Sequence, residues 1–223
     1  MSGNAVSRFS GLRAGTAGRR SASLPRRRPI LLAVLVLFDI DGTLLLGTPR
    51  AHTEALVAAA AEVYGVPAPA EHVTAIRPAG RTDQEIGPLV LRHHPAIGAR
   101  RELVAALFPG LDSGTDPQAV APGADAALSR LAAEGATLAL LTGNIESLAH
   151  AKMARAGLGT HFARGQGAFG SDHESRDALV PIAAARAGGP AAVTVVGDTP
   201  RDVACARARG ARCVAVTTGA HGP

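Results

Sequence analysis

Along most of this chain, short uninterrupted apolar runs alternate with Ala-rich amphipathic stretches, and the apolar runs stop at polar residues of a restricted kind. From Ile30 to Phe38 every position is apolar, which predicts a strand covered on both faces, as in a parallel sheet. Residues 136–141 and 191–196 predict two further buried strands, and residues 212–217 a last one. Helices are expected between them, over 124–133 before Gly135, over 146–156 before Gly157, over 176–187 with Asp177 near the start, and up to Arg209 before Gly210. The glycine-rich stretch 161–173 resists this reading, although Phe162 and Phe169 suggest a short strand or an anchored loop.

Residues 48–120 have a different character. Helical runs over 53–64, 83–94 and 98–108 are joined by Pro and Gly, with Thr82 or Asp83 as a natural N-cap and no strand-like run among them. The chain is therefore expected to be α/β: a Rossmann-like parallel sheet core built from 30–47 and 121–223, with an inserted α-helical cap over 48–120. Residues 1–29 read as a disordered basic tail.

The strand ends carry the chemistry. The first apolar run stops at Asp39 and Asp41, with Gly42 and Thr43 following; the second stops at Thr142, Gly143 and Asn144; the third at Asp198, Thr199, Pro200, Arg201 and Asp202. An Asp-Gly turn after a strand is common and by itself would mean nothing. In a parallel sheet, however, all three ends lie on one edge, where open α/β sheets bind their ligands. Carboxylates gathered there repel one another unless a cation neutralises them, which points to a hard ion with oxygen ligands, Mg²⁺. Zinc is disfavoured, since no His or Cys cluster accompanies the aspartates.

These motifs resemble those of the haloacid dehalogenase (HAD) superfamily of phosphohydrolases. Asp39-Ile40-Asp41-Gly42-Thr43 resembles its first motif, Leu141-Thr142-Gly143-Asn144 its second and Gly197-Asp198-Thr199-Pro200-Arg201-Asp202 its fourth; the insertion is similar to the small helical cap of phosphoglycolate phosphatase-like members. The resemblance implies a phosphatase acting on a small phosphorylated metabolite through an aspartyl-phosphate. It implies Asp39 as nucleophile, Asp41 as proton donor to the leaving alcohol, and Asp39, Asp198 and the Asp41 backbone carbonyl around Mg²⁺, with Asp202 supporting that shell. Thr142, Gly143 and Asn144 would bind the phosphoryl group, and Arg81 in the insertion a second anionic group of the substrate.

The third motif departs from the family, which usually supplies a Lys about thirty residues after the second. Arg176 stands in that window as the substitute cation, with Lys152 as the runner-up. Two other readings follow. A phosphosugar mutase would use the same aspartyl-phosphate, and a catalytically weakened binding module would account for the altered third motif and the short C-terminal region.

Composition changes this picture little. A 47% hydrophobic, 18% charged chain of 223 residues is globular in character, and 3% aromatics without Trp argue against base-stacking platforms for nucleic acid. The net charge of +5 belongs to the tail, where Arg8, Arg13, Arg19, Arg20, Arg26, Arg27 and Arg28 stand with no acidic residue before Asp39. The apolar run after Arg28 resembles a signal peptide but is too short to span a bilayer and leads directly into the two aspartates. With only Cys205 and Cys213, no disulfide framework is expected. These features predict a cytoplasmic protein without membrane or nucleic-acid partners.

Overall fold

The computed structural model describes residues 34–47, 79–82, 85, 118–190 and 192–219. The tail and most of the insertion, with the helices expected there, lie outside the described residues. Within them, β1 (Val34–Phe38) is the centre of a four-stranded parallel sheet that also contains β4 (Thr137–Leu140), β5 (Ala192–Gly197) and β6 (Arg212–Ala215), in the order β4-β1-β5-β6.

The period of two along β1 divides the core. Val36 and Phe38 pack to one side with Leu138, Leu140, Phe162 and Phe169, under α1 (Ala124–Ala133) and α2 (Glu146–Arg155), which contribute Leu128, Ala149 and Met153. Leu35 and Leu37 face the other way, with Val195, under α3 (Leu179–Arg186) and α4 (Pro200–Ala208), which contribute Leu179, Val180, Ala183, Cys205 and Ala206. A central strand buried on both faces has no polar position to offer, which is why its sequence is continuously apolar.

The register sets the strand ends level. Phe38 is opposite Leu140 on one side and Val196 on the other, and the Asp39 amide donates to Val196 O at 2.9 Å. Asp39, Thr142 and Asp198 therefore leave the same edge of the sheet. Beyond β4, residues 161–173 are an anchored loop: a 3₁₀ turn (Gly159–His161), buried Phe162 and Phe169, and one parallel bridge between Leu141 and Ala168. Gly167 makes this approach possible, since at φ 87° a Cβ would lie 2.4 Å from Leu140 O. On the far side β6 is mostly exposed, with Val214 50% accessible, and among the described residues no strand pairs with its outer edge.

Beyond the helical runs expected over 53–108 comes a short strand that the sequence did not suggest. Ala119–Val120 forms β3 and pairs antiparallel with β2 (Leu45–Leu46), so the outgoing and returning legs of the insertion are joined by a two-stranded ribbon. The expected helix over 176–187 also begins differently, as a 3₁₀ turn (Arg176–Ala178) that runs into α3. No helix among the described residues is long and apolar enough to cross a membrane.

Candidate active site

After Phe38 the backbone turns at once. Ile40 is fully buried and its carbonyl accepts from the amides of Leu44 and Leu45, both at 2.9 Å, so Asp39 and Asp41 are presented to different neighbours. Asp39 is buried, and its Oδ1 accepts from Arg176 Nη2 at 2.9 Å. The same nitrogen donates to Asp202 Oδ1 at 2.5 Å and to Leu141 O at 3.2 Å. One guanidinium thus ties the end of β1 to the end of β4 and to α4.

Asp202 is held by its own helix. Thr199 and Asp202 form a capping box at the start of α4, in which Asp202 Oδ2 accepts from the Thr199 amide at 3.0 Å and from its hydroxyl at 2.6 Å. Both Asp202 oxygens are therefore engaged. Asp39 and Asp198 differ, each having one oxygen engaged by a side-chain donor; for Asp198 this is the Thr43 hydroxyl, 3.2 Å from Oδ1. Two glycines flank Asp198 Oδ2, because a Cβ on Gly42 or Gly219 would lie 2.3 or 1.6 Å from it. The Thr218 hydroxyl donates to Gly42 O at 2.6 Å, drawing the chain after β6 over this corner.

Asp39, Asp198 and Asp202 each bring a carboxylate oxygen within 4.8 Å of the others, and all three are buried. One guanidinium pairs with two of these three carboxylates, so negative charge is left over in a dry site. Burial pushes the Asp39 carboxyl up to about 7, against the pull of Arg176 and helped by Asp202; burial also raises Asp198, against the Thr43 hydrogen bond. Buried oxygen donors with excess negative charge are the set that a hard divalent cation satisfies.

Asp41 lies outside this cluster. Its Oδ1 accepts from Gln118 Nε2 at 2.9 Å and from Lys152 Nζ at 2.8 Å; its Oδ2 accepts from Asn144 Nδ2 at 2.7 Å and from Lys152 Nζ at 2.9 Å. Lys152, on α2, also donates to Asn144 Oδ1 at 3.2 Å. The two candidate cations are thus divided, Arg176 on Asp39 and Lys152 on Asp41. Asn144 links Asp41 to Thr142, whose hydroxyl accepts from its Nδ2 at 2.9 Å and from its amide at 3.2 Å.

The insertion reaches this edge through residues 79–82. A Cβ on Gly143 would lie 1.9 Å from Arg81 O, so only glycine admits this backbone approach. Thr82 accepts the Glu85 amide at 3.1 Å, as expected of an N-cap, and donates to Glu174 O at 2.6 Å. The Arg81 side chain pairs with Glu85, which Arg201 approaches at 3.9 Å. Gln118 was not singled out by the sequence. It precedes a strand of two residues, too short for any periodic signal.

The family model for haloacid dehalogenase-like hydrolases matches residues 34–210. The "Probable phosphatase IndB" of Dickeya dadantii (strain 3937) is 31% identical over 194 residues, covering 84% of this chain and 82% of that protein. Among solved structures, CbbY from Rhodobacter sphaeroides in complex with phosphate has a TM-score of 0.65 at 20% identity, covering 86% of this chain and 90% of that one. A predicted phosphoglycolate phosphatase from Haemophilus somnus 129pt has a TM-score of 0.60 at 16% identity, covering 85% and 88%. At these identities the two structures speak to the fold alone.

Proposed function

The chain belongs to the haloacid dehalogenase-like hydrolases, and from that premise we propose that it is a Mg²⁺-dependent phosphatase that hydrolyses a small phosphorylated metabolite through an aspartyl-phosphate. The observation that carries this reading is the meeting of Asp39, Asp198 and Asp202 at one edge of the sheet, their oxygens within 4.8 Å, with Arg176 against Asp39. Kinship with IndB, a probable phosphatase, supports a phosphorylated substrate.

Asp39 attacks phosphorus, forming its Oδ–P bond as the bond from phosphorus to the leaving oxygen breaks. Asp41 gives a proton to that oxygen and then takes one from the water that hydrolyses the aspartyl-phosphate. Arg176 keeps Asp39 in one rotamer and offsets the charge of Asp202 beside it. Thr142 and the Gly143 amide receive phosphoryl oxygens, with Asn144 holding Thr142 and Asp41 in fixed relation. Asp39, Asp198 and the Asp41 backbone carbonyl would hold Mg²⁺, which would supply charge neutralisation at the phosphoryl group. Arg81, whose backbone carbonyl approaches Gly143, would select substrates with a second anionic group.

Assaying wild type and Asp39→Asn with p-nitrophenyl phosphate and Mg²⁺ tests the proposal. The substitution is expected to lower kcat by about 10³-fold or more, and equal activities would remove the enzymatic reading. Following inorganic phosphate against isomerised sugar phosphate separates this activity from that of a mutase.

A further inference from the structure

Gln118 lies immediately before β3, on the leg by which the chain returns from the insertion. Its Nε2 donates to Asp41 Oδ1 at 2.9 Å and reaches Gly47 O, just beyond β2, at 3.4 Å. Both partners are acceptors, which fixes the amide with its nitrogen inward. The side chain therefore spans the β2–β3 ribbon and ends on Asp41. The other donors to Asp41 come from the core: Asn144 follows β4 and Lys152 sits on α2. Among the described residues, donors to Asp41 thus come both from the core and, through Gln118, from the stem that carries the insertion.

We infer that Gln118 is a positioning residue through which the stem of the insertion aims the Asp41 carboxyl at the leaving-group oxygen. This rests on the phosphatase reading, in which Asp41 passes a proton to that oxygen as the bond from phosphorus breaks. The need for this proton depends on the leaving group: an alkoxide cannot depart without it, whereas p-nitrophenolate is stable enough to leave nearly unaided. In the transfer of the phosphoryl group to Asp39, which kcat/KM reports, loss of aim at Asp41 therefore weighs on alkyl phosphates more than on aryl ones, while the later hydrolysis of the aspartyl-phosphate is the same for both. A general loosening of the site would weigh on both.

The test compares ethyl phosphate with p-nitrophenyl phosphate, each with Mg²⁺, on wild type, Gln118→Ala and Gln118→Glu. In Gln118→Ala, kcat/KM on ethyl phosphate is expected to fall about tenfold further than kcat/KM on p-nitrophenyl phosphate. Gln118→Glu keeps the length but replaces the donor by a carboxylate facing Asp41, so it should discriminate at least as strongly as Gln118→Ala. The ratio between substrates is read within one protein sample and does not depend on the fraction folded. Equal losses on both substrates, or none, from an active wild type overturn the role of Gln118. A wild type idle on both overturns the phosphatase reading itself, and this role falls with it.

Discussion

Asp39 and Asp41 are two residues apart in sequence and occupy opposite electrostatic surroundings. The side chains of Asp39, Arg176 and Asp202 are 6%, 5% and 0% exposed, and they form a dry cluster in which one cation serves two carboxylates. Asp41 is 26% exposed and Lys152 10%, and there one carboxylate is shared by the donors Lys152, Asn144 and Gln118. The dry side has too little positive charge and the wetter side too many donors. In the proposed mechanism this asymmetry suits an anion that stays put to receive a metal and a phosphoryl group, beside a second carboxyl that would be aimed and would trade a proton.

The largest effect should come from the dry side. Arg176→Met leaves Asp39 and Asp202 buried without their cation and is expected to cost about 3–5 kcal/mol in urea unfolding with chelator present. Arg176→Lys should recover most of that loss, because the short contacts to Asp39, Asp202 and Leu141 all come from Nη2, while Nε is buried without a partner. A point charge suffices where Nη2 alone meets the carboxylates and Nη1 makes only a long contact, to Gly80 O at 3.4 Å. If Arg176→Met and Arg176→Lys unfold alike, the cluster is not held by charge.

Why one side was legible in the sequence and the other only in part follows from how each is built. Asp39, Thr142 and Asp198 end continuous apolar strands, and parallel pairing brings such ends together whatever the details of the loops. Arg176 stood in the right window, but its place beside Asp202 depends on a 3₁₀ turn, which no periodicity reports. Lys152 has the spacing of an ordinary helix residue, and its partner lies 111 positions away. Gln118 depended on a ribbon of two residues per strand, and two residues show no alternation.

Protonation sharpens the comparison. Burial moves the Asp39 carboxyl from its ordinary 3.8 up to about 7. Between these values the folded chain keeps a proton that the unfolded chain has shed, so this contribution to stability is present below about 3.8 and is lost as pH rises to about 7. In metal-free protein, wild type should lose stability over that window relative to Asp39→Asn. Mg²⁺ displaces the proton, so the rise in Tm it produces should be larger near about pH 8 than near about pH 5. A Mg²⁺ effect independent of pH would mean that Asp39 is ionised before the metal arrives.

The smallest effect belongs to the wetter side. Lys152→Met removes an ion pair that water partly reaches, and Asp41 keeps Asn144 and Gln118 as donors, so the expected cost in unfolding is about 1 kcal/mol or less. Salt distinguishes this pair from the buried one. Raising ionic strength screens exposed charges and leaves buried pairs nearly untouched. The difference between wild type and Lys152→Met should therefore shrink in about 1 M NaCl, while the cost of Arg176→Met stays constant. A Lys152→Met cost as large and as indifferent to salt as that of Arg176→Met would mean that Asp41, too, lives in a dry site, and the division of labour between the two aspartates would have to rest on hydrogen-bond count alone.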